Sequence, residues 1–251
     1  MQETMFCLLC PMGGQPAIEL DMFTAWHGRL MVLAWGIAAP LAILVARFYK
    51  VMPGQRWPAE LDDKTWWHGH RALNYLAVAL TLAAAVLIAG RQRHGGNWRE
   101  LHALLGWSVL ALAVLQVLSA HLRGSKGGPT APRLDAQGQV LDVRGDHYDM
   151  SWRRRCFEYF HKTAGHLTWV LSWVALLVGL NLAHAPYWMG WSLGLWWLFL
   201  LLAAWRLQRT GRCLDTYQAI WGNDPQHPGN RMQPIGWGVR RIPPDPSDHI
   251  S

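Results

Sequence analysis

The sequence predicts an all-α integral membrane protein with five transmembrane helices, the first four forming a four-helix bundle core. Three observations carry this. Charged residues are only 16% of 251, against 51% hydrophobic, where about 25% charged is usual for soluble chains. The charges avoid five windows of 17 to 21 residues. There are 17 tryptophans, a residue that gathers where hydrocarbon meets water. The mean hydropathy of +0.04 averages apolar spans with polar connections. The apolar content excludes a disordered chain, and length with only four cysteines excludes a disulfide-built mini-domain.

The windows run over residues 30–46, 72–89, 103–120, 167–183 and 185–205. Crossing a hydrocarbon core of about 30 Å takes about 20 helical residues, which each window reaches with its flanking turn. Pro40 inside the first window predicts a kink, tolerable where neighbouring helices satisfy the freed carbonyl. The connections then fall on two sides. The N-terminus, 90–101 and the turn at His184 carry three basic residues, Arg91, Arg93 and Arg99, beside Glu3, Glu19, Asp21 and Glu100. The other side, 47–65, 122–156 and the tail from 206, carries 17. The positive-inside rule makes that side cytoplasmic, with the N-terminus outside. Residues 1–22 thus read as a short non-cytoplasmic segment and 23–206 as the membrane domain. Its polar cytoplasmic loop is 122–156, and 207–251 is a cytoplasmic tail. Loop and tail, rich in Gly, Pro, Asp and Arg, are expected to be irregular. No cleavable signal peptide is visible, since residues 1–12 lack a basic start. The net charge of +7 is spread over three connections, so it reads as topology rather than nucleic-acid binding.

Four histidines mark span entrances: His27, His70, His102 and His161. Because spans alternate in direction, His27 and His102 share one face and His70 and His161 the other. Polar groups inside a bundle are costly and mark function. Two facing imidazoles suit a bis-histidine haem clamped between helices, whereas zinc wants four ligands, often with Cys. Two haems set just inside the two faces of a span of roughly 30 Å would sit close enough for electron hopping. Gly106 and Gly165 each lie four residues beyond a proposed ligand, on the same helical face; a missing side chain there leaves room for a flat ring. Gly28 and Gly69 adjoin His27 and His70, and small residues at helix contacts are the competing explanation. Arg29, Arg71 and Lys162 are placed to pair haem propionates or simply to snorkel. His68 and His166 are the rivals of His70 and His161. His121, His184 and His94 read as hydrogen-bonding or interface histidines. Cys7 and Cys10 form a Cys-x-x-Cys pair that is not a c-type haem site, because Pro11 follows. It reads as a disulfide, a redox or metal pair, or two incidental thiols. Cys156 and Cys213 read as reduced and inert.

These residues resemble the cytochrome b561 family, particularly bacterial relatives of the domain found fused to DOMON domains. The matching stretches are His27-Gly28-Arg29-Leu30-Met31 with Ala34-Trp35-Gly36 and Pro40, and Ala46-Arg47-Phe48-Tyr49-Lys50. Further matches are Trp66-Trp67-His68-Gly69-His70-Arg71, His102-Ala103-Leu104-Leu105-Gly106, Leu115-Gln116 and His161-Lys162-Thr163-Ala164-Gly165. The likeness covers about residues 22–206. It implies two haem b groups, one ligated by His27 and His102 and one by His70 and His161, in a multi-pass bacterial inner-membrane protein. Eukaryotic members usually place this core in the middle four of six helices, not the first four. No DOMON segment is present, which implies a separate redox partner protein at the non-cytoplasmic face. His121 stands where the pattern carries an aromatic residue. Ascorbate and ferric-reductase activities belong chiefly to eukaryotic members and are not carried over. The leading function is transmembrane electron transfer, with lipid, a quinone or a small reductant as further partners. The alternative is a quinol-linked haem subunit anchoring a larger oxidoreductase. A haem-free transporter or scaffold is the third class.

Overall fold

A computed structural model describes residues 7–12, 16, 18–91 and 96–244. Glu3, Arg93 and His94 lie outside the described residues. Five long helices carry the chain: α1 Met22–Phe48, α2 Thr65–Ile88, α3 Gly96–His121, α4 Trp152–Leu182 and α5 Tyr187–Arg209. All five are apolar and long enough to cross a membrane, and much of their apolar surface faces outward, including Val86, Leu104, Leu118, Val170 and Phe199. In lipid that outward face needs no protein cover. The helices extend well beyond the charge-free windows. Thus α4 begins fifteen residues before Leu167 and carries Arg153, Arg154, Arg155, Glu158 and Lys162 in its first three turns. The spans begin where caps allow. Asp21 accepts from the Phe23 and Thr24 backbone N–H groups at 3.1 and 3.2 Å to start α1, and Asp63 accepts from Thr65 N–H at 2.7 Å before α2.

The chain forms two compact units, and each long helix contributes to both. The first comprises residues 1–42, 71–114 and 166–204. Its core is Ala34, Trp35, Ala38, Ala77, Val109, Ala113, Leu176, Leu193 and Trp197. Small residues let helices approach here, and Trp173 stacks on Trp197 at 4.2 Å. The expected disturbance at Pro40 takes a specific form. Residues Val32–Ala38 wind as a π-helix. A proline ring lacks a donor and displaces the carbonyl four residues earlier. That carbonyl, Gly36 O, instead accepts from the Trp196 indole N–H at 2.9 Å. Trp35 donates to Thr81 Oγ1 at 2.9 Å, and Thr81 passes the bond to Ala77 O at 2.7 Å. Cys7 and Cys10 are joined as a disulfide. Their segment is tied to the start of α5 by the Tyr187 and Trp188 N–H groups, which donate to Cys10 O and Leu8 O.

The second unit comprises 43–70, 115–165 and 205–251. Here the structure departs from the irregular loop and tail expected from composition. Loop 122–156 carries a short hairpin, β1 Arg133–Leu134 paired with β2 Val140–Asp142. The tail forms a helix, α6 Thr216–Trp221, and a 3₁₀ turn Pro228–Arg231. Trp66, Met150, Tyr217, Ile220, Trp221 and Ile235 make one buried cluster that joins loop, tail and the start of α2. Tyr217 donates to Tyr148 O at 2.8 Å. Gln218 both donates to Ile242 O and accepts from Ile242 N–H. Gly128, at φ +68°, lies so close beneath the Trp221 ring that a Cβ would collide with it. The polar composition was real, but its polar groups are spent on one another and the aromatic residues close the core. Cys213 is buried in this unit and Cys156 is exposed, both as free thiols.

Candidate functional site

Each unit holds one pair of the four histidines. In the first, His27 of α1 and His102 of α3 bring their rings to 6.2 Å between centres, with planes at 77°. In the second, His70 of α2 and His161 of α4 stand at 6.1 Å and 75°. All four lie within the helices, not at their mouths, because the helices run on past the charge-free windows. The rivals fall elsewhere: His68 and His166 are exposed, and His68 stands edge-on to Trp67. His121 is exposed, and His184 pairs its Nδ1 with Pro16 O at 2.7 Å.

The first pair is held in a defined tautomer. His27 Nδ1 lies 3.0 Å from Ala84 O and His102 Nδ1 lies 3.1 Å from Ala175 O. A carbonyl only accepts, so each Nδ1 carries the proton and each Nε2 presents its lone pair. This is the outer-shell arrangement that orients metal-ligating imidazoles. The gap between the rings is apolar, lined by Met31, Trp35, Gly106, Val109, Ala175 and Leu176. A Cβ on Gly106 would meet nothing within 4 Å, which leaves one turn of α3 open beside His102. At the second pair, a Cβ on Gly165 would come no nearer than 3.8 Å to Gln116 Nε2, and that amide donates to His161 O at 3.2 Å. A Cβ on Gly28 would also meet nothing within 4 Å.

The spacing tests the proposed cofactor. A metal–imidazole bond of about 2.0 Å plus about 1.1 Å from nitrogen to ring centre, taken twice, gives about 6.2 Å. Both pairs have that separation, so the donor set fits a hexacoordinate haem iron in each unit. Among the described residues no group of three or more His, Cys, Asp or Glu could hold a metal ion.

Sequence reasoning missed two features. Gly179 of α4 faces His102, and a Cβ there would lie 2.9 Å from His102 Cε1. Gly179→Ala is expected to tilt the imidazole and, if His27 and His102 hold a haem, to weaken that site while leaving the His70–His161 pair intact. Low-temperature spectra of the reduced protein should show one shifted or diminished component and one unchanged; two unchanged components would refute it. The second feature is an ion triad beside His161, in which Arg154 and Glu158 are buried and Lys162 is partly exposed. Glu158 accepts from Arg154 Nε at 3.0 Å through Oε1 and from Lys162 Nζ at 2.6 Å through Oε2. The i, i+4 spacing of Arg154, Glu158 and Lys162 was legible, but the burial of Arg154 and Glu158 was not. Lys162 also donates to Ile235 O at 2.7 Å, so its ammonium is engaged within the protein. Arg29 lies over Trp26 and Arg71 over Tyr75.

No protein-family model matches the chain, and no solved structure matches it. Curated proteins do. It is 30% identical over 158 residues to ferric-chelate reductase 1 of Bos taurus, across 62% of this chain and 22% of that protein. It is 29% identical over 155 residues to an Arabidopsis thaliana cytochrome b561, DM13 and DOMON domain-containing protein, across 62% of this chain and 14% of the other. A second Arabidopsis thaliana cytochrome b561 and DOMON domain-containing protein is 27% identical over 160 residues, across 62% and 27%. The chain thus spans about a fifth of the length of the first curated relatives it matches. The five apolar helices and these likenesses fit a multi-pass membrane protein. The chain is similar over 62% of its length to proteins named for a cytochrome b561 domain.

Proposed function

We propose that the chain carries electrons across a membrane through two bis-histidine b haems, one toward each face. His27 and His102 hold one, His70 and His161 the other. The observation that carries this reading is the pairing of four histidines from four helices into two facing couples, both at the separation an iron-centred haem requires. Bound haem supplies a one-electron couple at each site. The protein's part is ligation, orientation and exclusion of water. Ala84 O and Ala175 O hold the first pair of rings and keep Nε2 basic. Met31, Trp35, Val109 and Leu176 keep that site dry. Gly106 and Gly165 leave room for the macrocycle, and Arg29 and Arg71 serve its propionates. Lys162 contributes its charge through Glu158.

The excess of basic residues in 47–65, 122–156 and the tail supports a cytoplasmic C-terminus and an external N-terminus in a bacterial inner membrane. A separate redox protein, a quinol or a small reductant would exchange electrons at either face. A ferric chelate, named for the mammalian relatives, is the first acceptor to try. The test uses vesicles holding the purified haem-loaded protein, with a trapped ferric chelate and a membrane-impermeant reductant outside. Reduction of the trapped iron should require the protein and should fail in a His27→Ala/His161→Ala variant. A rate no faster than in protein-free vesicles would end this reading.

A further inference from the structure

We infer that the Cys7–Cys10 disulfide is a redox centre in its own right, a thiol–disulfide exchange site that takes two electrons from a dithiol donor. The inference goes beyond the function proposed above and does not depend on the haems. It begins with what the bridge does not hold. Cys7 and Cys10 are joined, and both are exposed. A bond across so short a turn restricts the unfolded chain far less than one that closes a long loop. The folded segment is held by other contacts. The Tyr187 and Trp188 N–H groups donate to Cys10 O and Leu8 O, both at 3.0 Å, and Met12 N–H donates to Ala185 O at 2.9 Å. Met12 packs against Gly190, where an added Cβ would lie 3.5 Å from its sulfur. His184 Nδ1 lies 2.7 Å from Pro16 O.

These contacts decide how the thiols behave once the bridge opens. They anchor residues 8, 10 and 12 beside the start of α5, and Cys10 N–H donates to Cys7 O at 3.1 Å across the turn. The two sulfurs are therefore kept side by side after reduction, at a high effective concentration, and the bridge can close again by the reverse exchange. Exposed disulfides are the labile ones, open to an attacking thiolate. Leu8 and Leu9, 49% and 79% exposed, stand between the cysteines and give an approaching protein an apolar footing. On the proposed topology this end of the chain faces the non-cytoplasmic compartment, where disulfides form and persist. The step balances. One donor thiolate attacks the Sγ of Cys7 or Cys10, the Cys7–Cys10 bond breaks, and a mixed disulfide forms. The donor's second thiolate then displaces the cysteine. The donor leaves as a disulfide, and both cysteines end as thiols holding its two electrons and two protons. A small dithiol and a protein with two neighbouring thiols share this chemistry, and the experiment separates the two sources.

The experiment counts thiols in the full detergent-solubilised protein by alkylation and mass, in a Cys156→Ser background that removes the exposed free thiol. In equimolar reduced and oxidised dithiothreitol the pair should be about nine-tenths reduced or more, as an exchange couple is and a structural bridge is not. The Tyr187 and Trp188 amides should keep their protection from hydrogen exchange after reduction, because their acceptors stay in place. Reduced thioredoxin is the protein probe. If Leu8→Ser/Leu9→Ser slows its reaction about tenfold and leaves the dithiothreitol rate unchanged, the donor is a protein; unchanged rates with both assign a small dithiol. A pair that stays mostly oxidised in the dithiothreitol buffer overturns the inference. So does loss of amide protection on reduction, which makes the bridge a structural strap. Cys7→Ser/Cys10→Ser should leave the haem content unchanged, so failure here and failure of the two-haem reading are read separately.

Discussion

Alanine at His102 should lower the haem content from about two per chain to about one and remove one low-spin component from the reduced spectrum. His27→Ala should give the same spectrum, since on the proposed reading both rings would hold the same haem. Each ring is aimed by a carbonyl on a neighbouring helix, Ala84 O for His27 and Ala175 O for His102, so neither can swing across to replace its partner. The lining between them offers Met31, Trp35 and Val109, with no second imidazole to substitute. His70→Ala and His161→Ala should remove the other component, and a variant lacking one ligand from each pair should hold no low-spin haem. His68→Ala and His166→Ala should change nothing, because both side chains are exposed. Haem extraction against protein concentration, with spectra of all six single variants, decides it. The assignment fails if His68 or His166 proves essential while His70 or His161 does not.

Glu158→Leu should be the most destabilising single change outside the ligands. It leaves Arg154 and Lys162, with side chains 11% and 30% exposed, facing each other across an apolar gap. Removing one partner of a buried ion pair costs about 3–5 kcal/mol. The thermal midpoint in detergent should fall sharply, and loss of the negative charge should raise the potential of the haem proposed at His70 and His161. Replacing the whole triad as Arg154→Met, Glu158→Leu and Lys162→Met should recover most of the stability of the haem-free protein, because no charge is then left buried alone. A Glu158→Leu variant as stable as the native chain would mean that the triad is solvated in the membrane protein.

Much of this was legible in the one-dimensional pattern. Charge-free runs near 20 residues have few outcomes other than spans, because unpaired charge in hydrocarbon is expensive. The four histidines stood out through their position relative to those runs, and Gly106 through its four-residue offset from His102. The limits of the spans were not legible. A helix does not stop at the first charge when an i, i+4 partner satisfies it, and α4 runs through Arg154, Glu158 and Lys162 for that reason. Gly179 went unnoticed because its importance comes from a ring on a different helix.

Local composition by itself determined the helical class, the number of spans and the four candidate ligands, since each follows from the cost of placing polar groups in hydrocarbon. Only the tertiary structure decided three further matters. It set the carbonyls of Ala84 and Ala175 behind the first pair of rings. It supplied the Trp196 indole to the carbonyl of Gly36 near Pro40. It folded the loop and the tail into one buried unit around Tyr217 and Trp221. These contacts join residues far apart along the chain, so their energy appears only when distant segments pack, and no local pattern of residues encodes which carbonyl or ring will arrive.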